Sequence, residues 1–135
     1  MLEGSVLAAA QAVGGARRAL EMTVAYAGER HQFGKPIGAF QALSHSLADA
    51  ATAIEGGATL VYEAAWAHAE GRDVSQLAPM AKLFMGQAYR DVTAACQQVW
   101  GGVGFTIEYD IQLYFRRAKQ LQMSWWDGRH LEERV

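Results

Sequence analysis

The sequence predicts an all-α domain, an up-down-up-down four-helix bundle with a short extra C-terminal helix. Apolar residues in the long Ala-rich stretches recur at alternating spacings of three and four, the repeat of a helix with one buried face. These stretches are separated by short breaks rich in glycine and cap-forming residues. No segment shows the strict alternation of a half-buried strand.

The first helix follows from Val6, Ala9, Val13, Ala16, Leu20, Thr23 and Ala27, with Arg17, Arg18, Glu21 and Glu29 lying mostly off that stripe. In the second, one apolar face runs from Phe40 through Leu47, Ile54, Val61 and Ala64 to His68, and an end is expected near Gly71. Ser75 is placed to N-cap a third helix, where Pro79 in the first turn removes little useful hydrogen bonding. Its expected stripe is Leu77, Met80, Phe84, Ala88, Val92, Ala95 and Val99, stopped by Gly101 and Gly102. Asp110 is the expected N-cap of a shorter fourth helix carrying Ile111, Tyr114, Phe115, Ala118 and Leu121 inward, and Asp127 that of a last short one. Short connections favour an antiparallel bundle. The glycines on or beside the stripes (Gly14, Gly15, Gly56, Gly57 and Gly86) imply close approach of helices, since each costs up to about 1 kcal/mol of helix propensity.

Length bounds the organisation: 135 residues imply one domain, spanning residues 1–135. A net charge of −2 with both signs mixed gives no electrostatic case for nucleic acid or an anionic membrane. A small molecule or another protein is the expected partner. The lone cysteine, Cys96, falls in an apolar run and reads as a buried, inert thiol, in keeping with a reducing cytosol. There is no signal-peptide pattern and no apolar stretch of the ~20 residues needed to span a bilayer, so a cytoplasmic location is expected. The histidines lack partners at metal-ligand spacing, and no metal site is expected.

Two breaks carry chemistry. In Gly28 to Gln41, Arg30 falls at a helix C-terminus and its fork can grip a phosphate two ways. Gln32 adds an amide and Phe33 a flat apolar face. Two readings fit: a nucleotide-contacting segment, or a well-capped helix-helix turn with Phe33 as a hydrophobic plug. In Trp100-Gly-Gly-Val-Gly-Phe105, three glycines let backbone N–H groups approach an anionic ligand, and Gln98 supplies a polar tip. This stretch follows a helix and lacks the strand context of a dinucleotide fingerprint, so alone it reads as a helix stop.

Taken together, the breaks say more. The order Tyr26-x-x-Glu29-Arg30-x-Gln32-Phe33-Gly34-Lys35-Pro36-Ile37-x-x-Phe40-Gln41, then Leu47-Ala48-Asp49, then Gly101-Gly102-x-Gly104-Phe105-x-x-Glu108-Tyr109, then Arg116-x-Ala118-Lys119, resembles the acyl-CoA dehydrogenase family. The resemblance covers nearly the whole chain but only the family's C-terminal helical domain. It implies FAD as cofactor and an acyl-CoA thioester as substrate, dehydrogenated between its α and β carbons. It implies that Arg30, Gln32 and Phe33 contact the pyrophosphate and adenosine side of a neighbouring protomer's FAD. Gln98, Gly101 and Gly102 then supply polar and backbone contacts, and other copies or a partner subunit complete the site, in the family's tetrameric manner.

The catalytic base departs from the family pattern. The position of the family's usual glutamate after the fourth helix holds Trp125, which cannot take a proton. Allowing a two-residue insertion, Trp126-Asp127-Gly128 mimics the aromatic-Glu-Gly pattern and makes Asp127 the one local carboxylate candidate, with a helix N-cap as its other reading. Where some members carry the base early in the first bundle helix, this chain has Gly4, with Glu3 one residue short and about 100° away around the helix. Two functions are therefore open: the FAD-contacting, oligomerising domain of a flavin-dependent acyl-CoA dehydrogenase, or a non-catalytic structural subunit or domain of a hetero-oligomeric one.

Overall fold

In the computed structural model, residues 2–124, 128–133 and 135 are described. The chain runs through α1 (Leu2–Glu29), a minimal hairpin of β1 (His31–Gln32) and β2 (Lys35–Pro36), a 3₁₀ turn (Ile37–Ala39), α2 (Gln41–Ala69) and α3 (Leu77–Trp100). A second 3₁₀ turn (Gly101–Phe105), α4 (Ile111–Met123) and α5 (Gly128–Glu132) complete it. Among the described residues, no helix is long and apolar enough to cross a membrane.

Four side-chain contacts fix the helix directions. Glu3, at the start of α1, meets His68 at the end of α2 at 3.2 Å. Gln11 accepts from the Arg117 guanidinium at the middle of α4 at 3.2 Å. Lys82, early in α3, donates to the carbonyl of Gln122 at the end of α4. By contrast, Thr23, late in α1, accepts from Trp100 at the very end of α3. Thus α1 and α3 run parallel while α2 and α4 oppose them, which is the expected up-down-up-down arrangement. The α1–α3 pair packs most extensively, and α2 and α4 flank it.

The inward face of α1 is mostly alanine: Ala8, Ala9, Ala12, Ala16 and Ala19 are all buried. Small side chains there let the neighbouring helices close in. Bulk comes from Ile54 of α2, Met85 and Tyr89 of α3 and Ile111 of α4, each at most 1% exposed and each contributing about 1.5–3 kcal/mol by burial. The close-approach reading of the glycines holds at two positions. A Cβ on Gly15 would strike Tyr89 and one on Gly57 would strike Met85, whereas one on Gly86 would meet Gln122 and Lys82 at an ordinary contact distance of 3.9 Å. Gly14 and Gly56 face open space instead.

Several local expectations are corrected. Met80 and Phe84 are exposed, because the buried stripe of α3 is rotated toward Ala78, Ala81, Met85, Tyr89 and Cys96. Gln76 takes the N-cap position of α3 without a side-chain bond. Ser75 instead donates from its N–H and hydroxyl to the Asp73 carboxylate, both at 2.9 Å, and these bonds hold that carboxyl below its ordinary value. Asp110 stands at the N-cap of α4 but makes no side-chain capping bond. The hairpin was not expected, since a two-residue ladder is too short to show alternation. Trp125, Trp126 and the candidate carboxylate Asp127 lie outside the described residues. Cys96 is fully buried, and burial pushes its thiol above the ordinary range, as an inert core cysteine requires.

Candidate functional site

Because α1 and α3 are parallel, their C-terminal ends lie at the same pole of the bundle, and the two chemistry-bearing breaks emerge there together. The first is held by backbone bonds at its base. The Arg30 N–H donates to Tyr26 O and the Ile37 N–H to Arg30 O, both at 2.8 Å. Ile37 is the anchor: it is buried with Ala27, Leu47 and Val99, flanked by Phe40 and Leu43. The strands pair His31 with Pro36 and Gln32 with Lys35, leaving Phe33 and Gly34 as a two-residue apex with φ of +55° and +79°. Two successive left-handed residues make the turn that suits a tight hairpin. Glycine adopts it freely, whereas for a phenylalanine it costs about 1 kcal/mol or more.

That strain comes with exposure. Phe33 is 92% exposed, so it is not the hydrophobic plug of the simpler turn reading. Its ring meets Phe40 edge-on at 6.1 Å, and the Lys35 ammonium lies 4.2 Å from the centre of the Phe40 ring. Arg30 and Gln32 are also exposed. Among the described residues, the Arg30 guanidinium has no ion-pair partner.

The second break begins where Gly101, with φ 66° and ψ −147°, ends α3 in a conformation open essentially to glycine alone. Trp100 beneath it is the central aromatic of the site. Its ring stacks on Tyr26 at 4.0 Å and 12°, lies 5.1 Å from Tyr109, and its Nε1–H donates to Thr23 Oγ1 at 3.1 Å. Thr23 donates in turn to Ala19 O at 2.7 Å. The indole is therefore fixed in position and orientation by α1.

Between the breaks lies an open groove of about 690 Å³ whose walls include Arg30, Gln32, Phe33, Phe40, Trp100 and Gly102. The Tyr26–Trp100 stack separates it from a second groove of about 530 Å³, and Arg30 borders both. The structure thus brings together four of the sequence-predicted residues, Arg30, Gln32, Phe33 and Gly102. Gln98 and Gly101 do not line this groove; Gln98 is exposed at the end of α3 beside it. The three loop glycines have different reasons. Gly101 is required by its φ, and Gly104 by packing, since a Cβ there would fall 2.6 Å from Gln97 Oε1 and 2.7 Å from Trp100 Cβ. Gly102 meets nothing within 4 Å, so no contact inside the chain accounts for its missing side chain. Gly14 and Gly56 are open in the same way.

Sequence reasoning missed Tyr26, Trp100 and Tyr109 as site residues. Their aromatic character was visible, but their convergence depends on the parallel pairing of α1 and α3. Away from the groove, Glu3 is engaged by His68, and Gly4 carries no titratable group. Among the described residues, no cluster of three or more His, Cys, Asp or Glu side chains could hold a metal ion.

The chain is similar to known proteins over nearly its whole length. The family model described as the C-terminal domain of acyl-CoA dehydrogenase matches residues 2–129. Benzylmalonyl-CoA dehydrogenase of Aromatoleum aromaticum is 42% identical over 119 residues, covering 88% of this chain and 32% of that protein. The solved structure of PigA with FAD and proline superposes with a TM-score of 0.94 at 28% identity, over 98% of this chain and 34% of the other. A chain of the ChsE4-ChsE5 complex from Mycobacterium tuberculosis superposes with a TM-score of 0.91 at 31% identity, over 96% of this chain and 35% of the other. The chain spans about one third of the length of the relatives it matches.

Proposed function

This chain belongs to the acyl-CoA dehydrogenase family, and from that premise we propose that it is the FAD-contacting, oligomerising C-terminal domain of a flavin-dependent acyl-CoA dehydrogenase. The single observation that carries the reading is the groove itself. It sets Arg30, a cation without an ion-pair partner among the described residues, beside the aromatic side chains of Phe33, Phe40 and Trp100 and the turn glycine Gly102. An anionic, partly aromatic ligand such as a dinucleotide suits that combination.

The residues present fit the cofactor. Arg30 would hold the pyrophosphate, Gln32 and Gln98 would offer amides, and Phe33 would cover the adenosine side. Gly101 and Gly102 would let the backbone come close. When bound, FAD would supply a hydride acceptor for the β-carbon of an acyl-CoA. What the chain contributes is grip and orientation: a fixed indole wall, a cation at the groove's edge, and an aromatic held at an outward apex where it can reach a second protomer's ligand. The second copy has a place to dock. An apolar groove of about 830 Å³ between α2 and α3 is lined by Ala53, Leu60, Met80, Leu83 and Phe84, which suits association of helical faces.

A second reading is that the chain belongs to a non-catalytic subunit or domain of a hetero-oligomeric assembly, lacking the base. It is favoured by Trp125 and Gly4 at the two positions of the family's carboxylate. On the first reading Asp127 is the proton acceptor. Substituting Asp127→Asn in the parent enzyme separates them: lost turnover with retained flavin supports the first, and unchanged turnover the second.

The cofactor role is tested by titrating FAD into the purified chain, following flavin fluorescence and measuring mass by light scattering on the same sample. Saturable quenching by an oligomer is the expected result. No quenching at any concentration in which the chain is oligomeric overturns the proposal that the bundle itself builds a nucleotide cradle.

A further inference from the structure

Beneath the glycine turn lies a side chain that the site does not use. Gln97 is 4% exposed, and neither its Nε2 nor its Oε1 has a hydrogen-bond partner among the described residues. A buried primary amide can donate two bonds and accept two, and leaving all of them unmade destabilises the fold. Its amide oxygen lies against Gly104, where a Cβ would fall 2.6 Å from it. Gln98, next in sequence, points outward, so the two amides have separate environments.

The turn above it is unusual in two further ways. It holds five residues, Gly101–Phe105, in the 3₁₀ form, longer than such runs ordinarily persist because their hydrogen-bond geometry is poor. It also leaves Phe105 70% exposed, with Ile107 just beyond the turn 93% exposed. A long 3₁₀ turn, an unpartnered amide directly below it and exposed apolar groups beside it coincide at this one element.

We infer that the Gln97 amide is a positioning group for the glycine turn, able to replace the turn's own 3₁₀ hydrogen bonds and so hold it in a second conformation that presents Gly102 to the nucleotide. The nucleotide part rests on the FAD reading above; the two-state turn does not. Gln97 touches no ligand. It acts through the backbone of residues 101–105, and its unmet hydrogen bonds in the resting bundle are the cost of that arrangement.

The test uses Gln97→Met, an unbranched apolar replacement of similar volume, with Gln97→Leu as a second variant should the first fold poorly. Three quantities are measured on the whole chain: Tm without ligand, microsecond-to-millisecond relaxation dispersion at residues 101–105, and the midpoint of FAD titration. The expected result is a Tm higher by about 3 °C or more, dispersion present in the wild type and abolished in the variant, and FAD binding weakened about tenfold. A merely structural glutamine would not raise stability and weaken binding together. A lower Tm in both variants, as when a buried water satisfies the amide, overturns the inference, and so does a wild-type turn without dispersion. If the wild type shows the dispersion and stability effects but binds no FAD, the nucleotide reading fails and the two-state turn stands. If both proteins bind FAD equally with the same turn dynamics, the inference fails and the nucleotide reading stands.

Discussion

The Tyr89 ring of α3 lies directly over Gly15 of α1: a Cβ built on that glycine would fall 2.4 Å from the phenol oxygen and 2.5 Å from Cζ. Tyr89 is 1% exposed, so the ring has nowhere to retreat. Gly15→Ala should therefore destabilise the bundle by about 1–3 kcal/mol through overpacking, despite improving helix propensity by up to about 1 kcal/mol. Urea unfolding checks this. Combined with Tyr89→Leu, the double variant should lose clearly less than the sum of the singles, because the residues share one volume.

The same burial pushes the Tyr89 hydroxyl up to about 12. A group whose folded value lies above its unfolded one of about 10 stabilises the fold fully below pH 10. That contribution is lost as pH rises from 10 through 12. Urea midpoints measured across this window should fall more steeply for the wild type than for Tyr89→Phe, which has no proton to lose. Parallel pH profiles would remove the Tyr89 titration as the cause.

The three loop glycines separate packing from binding. Gly104→Ala should destabilise by about 1–3 kcal/mol, since its Cβ would meet Gln97 and the stem of Trp100. Gly102→Ala, which meets nothing, should unfold within about 0.5 kcal/mol of the wild type while weakening FAD binding. Equal binding by Gly102→Ala and the wild type would show that the backbone there is not approached.

Arg30→Gln should weaken FAD binding about ten- to hundredfold, the range for a charge-assisted hydrogen bond of about 1.5–3 kcal/mol. The wild-type affinity should also fall with added salt more steeply than that of the variant. Identical salt dependence would place the phosphate contact elsewhere.

Phe84, 44% exposed on the α2–α3 face, should support association. Phe84→Glu is expected to shift the chain toward monomer in light scattering with an unchanged helical circular-dichroism spectrum. An unchanged mass would move the interface to another surface.

Most of the helical framework was legible in the sequence, and the reason is visible in α1, where every residue of the proposed stripe except the half-buried Val6 and Leu20 is buried. In α3 the periodicity was right and the face partly misplaced: Ala88, Val92 and Val99 of the proposed stripe are buried, while Met80 and Phe84 are exposed. That helix carries two apolar faces, and a repeat of 3.6 residues cannot say whether Met80 and Phe84 or Met85 and Tyr89 face the core. The hairpin at His31–Pro36 was hidden for a different reason: its turn uses Phe33 where asparagine or glycine is the ordinary signal. Gln97 and Gln98 are identical in type and adjacent in position, and only the rotation of α3 distinguishes a buried amide from an exposed one. Of the proposed cofactor residues, Arg30, Gln32, Phe33 and Gly102 converge as the motifs suggested, while the aromatic wall required knowing which helices run parallel.

The parallel course of α1 and α3 also divides the molecule into two ends. The groove residues occupy one end, and Gly4, Glu3 and the close of α4 occupy the other, separated by α3 with its 24 residues, a span of about 36 Å. A change at the far end therefore leaves the near end's contacts untouched, so substitutions at Glu3 or Gly4 and substitutions in the Arg30-to-Gln41 segment act on separate parts of the bundle.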